Sequence, residues 1–427
     1  MTDILITNGH VITMDAAFTE VADGAVAIKD GRIVGVGPAS DFGDAAEIID
    51  AKGGYIIPGL INTHCHAAMT LFRGLADDRP LDAFLQKVWA AEAAHINAET
   101  VKLGATLGAA EMARAGVTHF VDMYWHFEST IAAAKTIGIG VTAGPTFIAF
   151  DGIDHMPWGA RVDAAEEALA RLAGKADLMV MPHACYTMDA EKLRIVADMA
   201  ARHNVPVHIH AAEAPSEMAQ VDQIYGARPI QVLQDTGILQ QQTLIAHAVH
   251  LNDAEIALLS KHNATVAHCP ASNAKLASGT ARVRDLRNAI VKVGLGTDGP
   301  SSSNDLDLWQ AMRQASFLNT TLTGEADSLT ARDVFAMATC DGAAAIGKAG
   351  QKGELAVGFD ADVVVVDRGG LHMVPAYDPY ATLVYAAGRS DVAQVFAKGQ
   401  HIVRDGRLAY DMREVVSAVR QLAQLVT

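Results

Sequence analysis

The central part of the chain, from about residue 57 to residue 350, alternates short apolar segments with longer amphipathic ones. This order is typical of strands and helices that build a parallel sheet with helices outside it. About eight such units in roughly 290 residues favour a closed (β/α)8 barrel over an open sheet. The helices that we predict are 98–115, 162–174, 190–203, 228–236, 253–262 and 282–291, and the strands that adjoin them are 117–123, 178–182, 205–210, 244–247, 265–268 and 293–297.

The two ends of the chain have a different pattern, in which short apolar runs are separated by glycines. The segments "AIKDGRIVGVG" and "VFAKGQHIVRDGR" each look like two strands around a glycine turn. We therefore predict that residues 1–56 and 355–427 pair into one small β-sandwich, and that residues 57–354 form the barrel between them.

Composition disfavours several classes of function. Lys and Arg number 33 and Asp and Glu number 49, so the net charge is −16, which argues against nucleic acid and anionic membranes as the main partners. The four cysteines form no CxxC pair, which favours reduced thiols. Because we find neither a signal-peptide pattern nor an apolar run of membrane-spanning length, we expect a cytoplasmic protein.

Ionisable side chains stand at the carboxyl ends of the predicted strands. Five of these ends carry histidine, and a sixth carries Asp298. In a barrel, the carboxyl ends of the strands converge on one mouth, where active sites are built. A lone histidine at a strand end is usually structural, but the repetition indicates a shared site. The histidines are His64, His66, His183, His208, His210, His247 and His268.

Four of these side chains form a candidate metal site. In His64-Cys65-His66, side chains alternate between the two faces of the strand, so both imidazoles point the same way and Cys65 points the opposite way. His210 is the third candidate nitrogen ligand and Asp298 the candidate carboxylate ligand. Three histidines and an aspartate that leave one position open for water are typical of a catalytic metal site.

The remaining polar residues fit proton transfer around that site. A bound divalent metal lowers the pKa of its water to about 7 and so supplies hydroxide. We expect Asp298 to take a proton from this water, Glu213 to give one to the substrate, and His247 to polarise the nucleophile or the developing oxyanion. His208 shares the face of His210 but lies deeper, which indicates a supporting residue. No nucleophile elbow, Walker loop or dinucleotide-binding glycine motif is found.

Five segments of the chain resemble the amidohydrolase superfamily in their order and spacing, over nearly the whole length. They are "PGLINTHCHAAMTLFRGLADD", "HIHAAEAPSE", "IAHAVHL", "HCPASNAKLASG" and "GLGTDGPSSSNDLDLW". The branch is that of S-adenosylhomocysteine and methylthioadenosine deaminases, related to guanine-type deaminases and s-triazine chlorohydrolases. The resemblance implies a barrel with a flanking β-sandwich, one Zn2+ or alternatively Fe2+, and a homodimer or homotetramer. It also implies that His64, His66, His210 and Asp298 bind the metal and that Glu213 and His247 handle protons.

The same resemblance implies substrate contacts. His183 in "MPHACYT" matches a substrate-contacting histidine, and this fourth strand has no lysine at its end for a second metal. Glu92 in "KVWAAEAAHI" resembles a glutamate that binds ribose hydroxyls, although a solvated helix residue is an equal alternative. Phe84 stands where relatives often have tryptophan, and Ser301 lies in the last motif. We assign all four to substrate binding.

One expected residue is absent. The segment "GIGVTAGPTFIAFDGIDHMPWGAR" lacks the arginine that the adenosylhomocysteine type often has there. A substrate carboxylate would need such a guanidinium as its partner. Arg161 and Arg73 are the candidates to replace it.

The resulting hypothesis is hydrolytic deamination of an aromatic heterocycle. The substrate would be an adenosine-like nucleoside, such as S-adenosylhomocysteine or methylthioadenosine, or a purine or pterin. Glu213 would protonate a ring nitrogen, and ammonia would leave. The alternative keeps the site and removes chloride or an alkylamine from an s-triazine-like ring. A catalytically silent scaffold is a third hypothesis, which the complete set of candidate ligands disfavours.

Overall fold

A computed structural model describes residues 2–426. Within this range, the strands are β1 (Thr2–Ile12), β2 (Glu20–Lys29), β3 (Arg32–Pro38), β4 (Ala45–Asp50), β5 (Tyr55–Pro58), β6 (Leu60–Cys65), β7 (Val117–Asp122), β8 (Gly140–Ala143), β9 (Thr146–Phe147), β10 (Asp177–Leu178), β11 (Met181–Pro182), β12 (Val207–Ala211), β13 (Thr243–His247), β14 (Thr265–His268), β15 (Val293–Leu295), β16 (Val363–Val366), β17 (Val392–Ala397), β18 (Gln400–Arg404) and β19 (Arg407–Leu408). The helices are α1 (Leu81–His95), α2 (Ala98–Arg114), α3 (Phe127–Ile137), α4 (Trp158–Leu172), α5 (Ala190–His203), α6 (Pro215–Tyr225), α7 (Pro229–Asp235), α8 (Asp253–Lys261), α9 (Pro270–Lys275), α10 (Val283–Asn288), α11 (Leu308–Thr323), α12 (Ala331–Met337), α13 (Cys340–Ala345), α14 (Pro379–Ala381) and α15 (Arg413–Val426).

Strands from the two ends of the chain share one sheet. Its order is β19-β18-β17-β16-β5-β1-β2-β3, and β4 pairs with β1. The ends meet where β16 pairs antiparallel with β5 on one side and with β17 on the other. Buried side chains from both ends, such as Ile6, Val26, Val363 and Phe396, form an apolar core separate from that of the barrel. The division of the chain at residues 56 and 355 stays a prediction, and β5 itself runs to Pro58.

Two hairpin turns bring the chain ends together. Asp30 and Gly31 join β2 to β3, and Lys398 and Gly399 join β17 to β18; all four have positive φ, between 46° and 75°. Two successive residues in this conformation are typical of the tight turns that suit twisted strands. A Cβ on Gly31 would lie 2.9 Å from the carbonyl oxygen of Lys398. The turns therefore touch, and this contact requires glycine.

Parallel strands of the central part form the barrel. One sheet has the order β10-β8-β7-β6 and another has the order β12-β13-β14-β15. Parallel bridges join them at both edges, from Val180 to Val207 and from Cys65 to Asp298. The strands thus close into a ring, and the predicted (β/α)8 architecture is confirmed. The third and fourth barrel strands are each divided into two pieces, β8 and β9 in the third and β10 and β11 in the fourth. Gly144 and Pro145 separate β8 from β9, and proline cannot donate a ladder hydrogen bond.

Helices surround the barrel close to their predicted positions. The helices α2 and α5 begin at residues 98 and 190, as predicted, because Asn97 and Asp189 accept hydrogen bonds from the backbone N–H groups of the first turn. The predicted helix 282–291 is shorter, since α10 ends at Asn288. In residues 2–426, no helix is long and apolar enough to cross a bilayer.

Candidate metal centre

Imidazoles and a carboxylate meet at the carboxyl end of the barrel. His64 comes from the end of β6, His210 from β12, and Asp298 from the loop after β15. The Nε2 atoms of His64 and His210 are 3.2 Å apart. Asp298 Oδ1 lies 3.4 Å from His64 Nε2 and 3.1 Å from His66 Nε2. All four predicted ligands are therefore brought to one place.

His247 belongs to the same cluster. One donor atom each from His64, His210, His247 and Asp298 lie within 4.8 Å of one another. His66 is outside that set of four, although its Nε2 approaches Asp298 most closely of the imidazoles. The geometry thus offers five donors, and His66 and His247 are alternatives for one coordination position.

Hydrogen bonds at the outer ring nitrogens decide which tautomer each imidazole adopts. His66 Nδ1 donates to the carbonyl of Met123 at 2.5 Å, and His210 Nδ1 donates to that of His183 at 2.8 Å. His247 Nδ1 donates to Asn273 Oδ1 at 2.8 Å. In a neutral imidazole, a donating Nδ1 leaves a lone pair on Nε2. These Nε2 lone pairs face the cluster.

His64 is oriented in the same way through a second histidine. His208 Nδ1 donates to the carbonyl of Leu244 at 3.0 Å, so His208 Nε2 accepts. This atom lies 2.8 Å from His64 Nδ1, which must then be the donor. Burial lowers the pKa of His208 to about 4, so the neutral form persists. The interpretation of His208 as a supporting residue agrees with this contact.

The donor set fits a cation. Two donors that bind one ion at ~2.0–2.1 Å with tetrahedral geometry lie about 3.4 Å apart, close to the separations of 3.1–3.4 Å found here. Burial acts to lower the pKa of His66, yet the contact with Asp298 raises it to about 9. Without a metal ion, the close contact of His66 Nε2 with Asp298 Oδ1 favours a proton between the two atoms. A divalent cation would replace that proton and satisfy the converging lone pairs together.

Backbone conformation aims two of the side chains. His247 and Asp298 have φ of 74° and 59°, in the left-handed region that non-glycine residues seldom adopt. Such conformations persist only where surrounding contacts enforce them, and they concentrate at functional sites. Gly296 contributes in another way, because a Cβ there would lie 3.0 Å from the Cβ of His64. The close approach of β15 to β6 needs that glycine.

Asp298 is held by two serines. Ser272 Oγ and Ser302 Oγ donate to its Oδ2 at 2.6 and 2.7 Å. Burial acts to raise the pKa of Asp298, but the contacts with His64 and His66 keep it well below its usual range. The carboxylate thus stays ionised, with Oδ1 directed to the imidazoles and Oδ2 fixed by hydroxyls.

Glu213 lies beside this cluster in a different environment. Its carboxylate is 3.7 Å from His247 Nε2, and its side chain is buried. Burial raises the pKa of Glu213. The backbone N–H of Glu213 donates to Glu217 at 2.6 Å, which fixes the turn after β12. One carboxyl group that retains a proton more readily therefore stands next to one that stays ionised, as acid–base chemistry requires.

A cavity of about 360 Å3 leads from the cluster to the surface. The helix α1 forms one wall, since Leu85, Trp89 and Glu92 all line the cavity and residues three, four and seven apart share a helical face. Phe84 lines the cavity as well. His183 also lines the cavity, with its ring centroid 6.3 Å from that of Trp89. Ser301 is not among the lining residues; it is buried and donates to Met69 Sδ at 3.0 Å, whereas its neighbour Ser302 lines the cavity.

Glu92 is a buried residue, so its interpretation as a solvated helix residue is wrong. It is 2% exposed and accepts a hydrogen bond of 2.5 Å from the hydroxyl of Tyr124. Burial raises the pKa of Glu92 to about 7, although the tyrosine hydroxyl acts to lower it. A carboxyl group with one oxygen held by Tyr124 keeps the other available to a ligand.

Many of the lining residues were not predicted, among them Trp89, Tyr124 and Ser302. A signal existed for Tyr124, because it follows the carboxyl end of β7, the position from which the other site residues were identified. Trp89 lies four residues after Leu85, on the same helical face. Ser302 follows Asp298 by four residues, in a loop whose course no periodicity predicts.

Neither arginine considered as a carboxylate ligand lies in the cavity wall. Arg161 is 5% exposed and binds Asp154 with both terminal nitrogens, at 2.7 and 2.9 Å. Arg73 pairs with Glu111 and donates to the carbonyl of Asn304. Both guanidinium groups are already paired.

Comparison with known proteins finds similarity along almost the whole chain. The family model described as "Amidohydrolase family" matches residues 55–402. A 5-methylthioadenosine/S-adenosylhomocysteine deaminase from Syntrophobacter fumaroxidans is 40% identical over 438 residues, covering 99% of this chain and 98% of its own length. A 5'-deoxyadenosine deaminase from Methanosarcina mazei is 38% identical over 430 residues, covering 99% and 98%. The crystal structure of an adenosine deaminase from Xanthomonas campestris with bound zinc superimposes with a TM-score of 0.97 at 33% identity, over 100% of this chain and 98% of that one.

Proposed function

The chain belongs to the amidohydrolase family, and we propose that it is a metal-dependent hydrolytic deaminase of adenosine-type nucleosides. One observation carries the proposal: imidazole lone pairs and an ionised aspartate converge on one point at the inner end of the cavity, beside the buried Glu213. The relatives named as deaminases of methylthioadenosine, S-adenosylhomocysteine and 5'-deoxyadenosine support this choice of substrate class.

One divalent metal ion is held by His64, His66, His210 and Asp298 in this proposal. The separations between their donor atoms support the assignment. Zinc is the proposed ion, because the similar adenosine deaminase structure contains zinc. Iron(II) is the alternative. When bound, such an ion lowers the pKa of water to about 7.

Proton transfer is divided between two carboxyl groups. Asp298 stays ionised and accepts a proton from the attacking water, whereas Glu213 retains its proton and gives it to a ring nitrogen of the substrate. The proton that Asp298 received then passes to the amino group, which leaves as ammonia. The hydroxyl proton returns to Glu213, and the oxygen of water stays on the ring carbon. His247, held by Asn273 at 2.8 Å, directs its Nε2 lone pair toward the cluster and polarises the attacking water by accepting a hydrogen bond from it.

The cavity wall orients the nucleoside. With the amino-bearing ring at the metal end, the second oxygen of Glu92 accepts hydrogen bonds from the ribose hydroxyls, while Tyr124 holds the first. His183 lines the cavity with Nδ1 engaged by Thr187 at 3.1 Å, and its other nitrogen contacts the substrate. Phe84 provides an apolar wall against the ring.

An ammonia-release screen tests the proposal. The metal-loaded protein is incubated with adenosine-type nucleosides, free purines, pterins and chlorinated s-triazines, and ammonia and chloride are both measured. Ammonia from an adenosine-type nucleoside is expected, together with loss of activity after chelation. Chloride release without ammonia would favour the s-triazine alternative. No product from any substrate, or well under one metal ion per chain, would favour the silent scaffold.

We also propose a cytoplasmic homodimer or homotetramer. The support is limited to the charge and cysteine content of the chain and to its family membership. Light scattering of the purified protein gives the mass directly, and a monomer would contradict this part of the proposal.

A further inference from the structure

The cavity changes character from its inner end to its mouth. The inner end carries the imidazoles and carboxylates of the metal cluster, whereas the outer part is lined by Leu85, Trp89, Ile148, Phe150 and Ile153. Phe150 is 51% exposed and Trp89 is 37% exposed, so these two stand at the opening. A nucleoside with its ring at the metal end therefore places its 5′ substituent among large apolar side chains.

Carboxyl groups are the charged side chains of the cavity wall, apart from the histidines. Among the residues that line the cavity are the four carboxyl groups of Glu92, Asp151, Glu213 and Asp298, and no lysine or arginine. His155 is an exposed residue that also lines the cavity. An anion entering the outer part of the cavity would therefore meet no permanent cation.

The nearest guanidinium is neutralised. Arg161 lies over the ring of Trp125, with its central carbon 5.3 Å from the ring centroid, and Trp125 is part of the wall. Asp154 binds both terminal nitrogens of Arg161, and the carbonyl of Met156 accepts a further hydrogen bond at 3.2 Å. The positive charge of Arg161 on α4 is thus balanced by a carboxylate from the loop that precedes this helix.

We propose that the site selects adenosine-type nucleosides whose 5′ substituent is short, uncharged and apolar, and discriminates against those whose 5′ chain ends in a carboxylate. This inference rests on the proposed deaminase function. A carboxylate that leaves water for an apolar site without a paired cation or hydrogen-bond donors loses solvation that nothing restores. A methylthio or methyl group gains from contact with the apolar mouth.

The first test compares three substrates on the unmodified, metal-loaded enzyme. They are 5′-methylthioadenosine, S-adenosylhomocysteine, and the primary amide of S-adenosylhomocysteine, which has the same length without the carboxylate charge. We expect kcat/KM for methylthioadenosine to exceed that for S-adenosylhomocysteine at least tenfold, and the amide to recover most of the difference. Equal or higher kcat/KM for S-adenosylhomocysteine would overturn the proposal.

The second test adds a cation to the wall. Ile153→Arg is expected to raise the ratio of kcat/KM for S-adenosylhomocysteine to that for methylthioadenosine at least fivefold, and salt should reduce this gain. Ile153→Gln is the matched control, because it adds polarity and length without charge; it should leave the ratio nearly unchanged. An equal rise in both variants would contradict a selection by charge. His155→Ala checks the exposed histidine, and collapse of S-adenosylhomocysteine turnover there would overturn the claim that no cation serves the carboxylate.

These outcomes separate the inference from the proposed function. If no adenosine-type nucleoside releases ammonia, the proposed function fails. If methylthioadenosine and S-adenosylhomocysteine are both deaminated equally well, the function stands and the charge selectivity fails.

Discussion

The imidazole of His208 supports that of His64, with Nε2 of the first 2.8 Å from Nδ1 of the second. The contact forces the proton of His64 onto Nδ1 and turns its Nε2 toward Asp298. Both rings are fully buried, so no water can substitute for this hydrogen bond. Partners of this kind fix ligand orientation and typically change metal affinity about 10–100-fold.

His208→Phe should therefore weaken metal binding by about 10–100-fold, because it removes the acceptor while retaining a ring in the space. Competition with a metal-binding dye gives the affinity. His268→Phe is the matched control, since His268 is an equally buried histidine at the end of a barrel strand whose Nδ1 has no hydrogen-bond partner. An unchanged affinity in His208→Phe would contradict the supporting role.

Single alanine variants distinguish His66 from His247. The proposal assigns His66 to the metal, so His66→Ala should lose both metal and activity. His247→Ala should keep close to one equivalent of metal while turnover falls by at least about a hundredfold, which is the scale of losing one acid–base group. Elemental analysis of the purified variants provides the measurement. The reverse metal contents would show that His247 is the ligand and His66 is not.

Glu213→Gln should retain the metal, and its turnover should fall by a factor of about 10²–10⁴, because only proton delivery is removed. Burial raises the pKa of Glu213, so the acid form persists to higher pH than in an ordinary glutamate. Activity should accordingly fall as pH rises through this raised pKa. Exposed Glu191→Gln serves as the control. A near-normal rate in Glu213→Gln would exclude the assigned role.

The buried Glu92 should make stability depend on pH. Its folded pKa of about 7 exceeds the ordinary value of 4.5, so the native state binds more protons between these values, and stability should fall as pH rises from about 4.5 to 7. This pKa shift corresponds to a loss of about 3 kcal/mol in the free energy of unfolding. Glu92→Gln removes the titratable group, but its side-chain oxygen still accepts the hydrogen bond from Tyr124. The variant should therefore be more stable than the unmodified protein at pH 8 and about as stable at pH 4.5.

Urea unfolding of both proteins at these two pH values measures the difference. Tyr124→Phe provides the complementary variant, since it removes the hydrogen bond that lowers the pKa of Glu92. It should steepen the loss of stability with rising pH. An identical pH dependence in all three proteins would mean that Glu92 does not change its protonation on folding.

Strand and helix periodicity in the sequence determined the barrel and the residues at the strand ends. Side-chain alternation alone placed His64 and His66 on one face, and the convergence of parallel strands placed His210 and Asp298 near them. Local patterns suffice for these predictions because they depend on the geometry of single strands and on one topological rule. The positions of helices such as α2 and α5 follow equally from local caps and apolar periodicity.

Only the tertiary structure decided the relations between side chains from distant segments. Glu92 and Tyr124 are 32 residues apart, and no periodicity predicts that their oxygens meet at 2.5 Å. Likewise, the left-handed backbone of His247 brings this residue into the metal cluster. These distances depend on how the closed barrel, the loops and α1 pack together. These contacts exist only in the assembled fold, because each one depends on the positions of several elements at once.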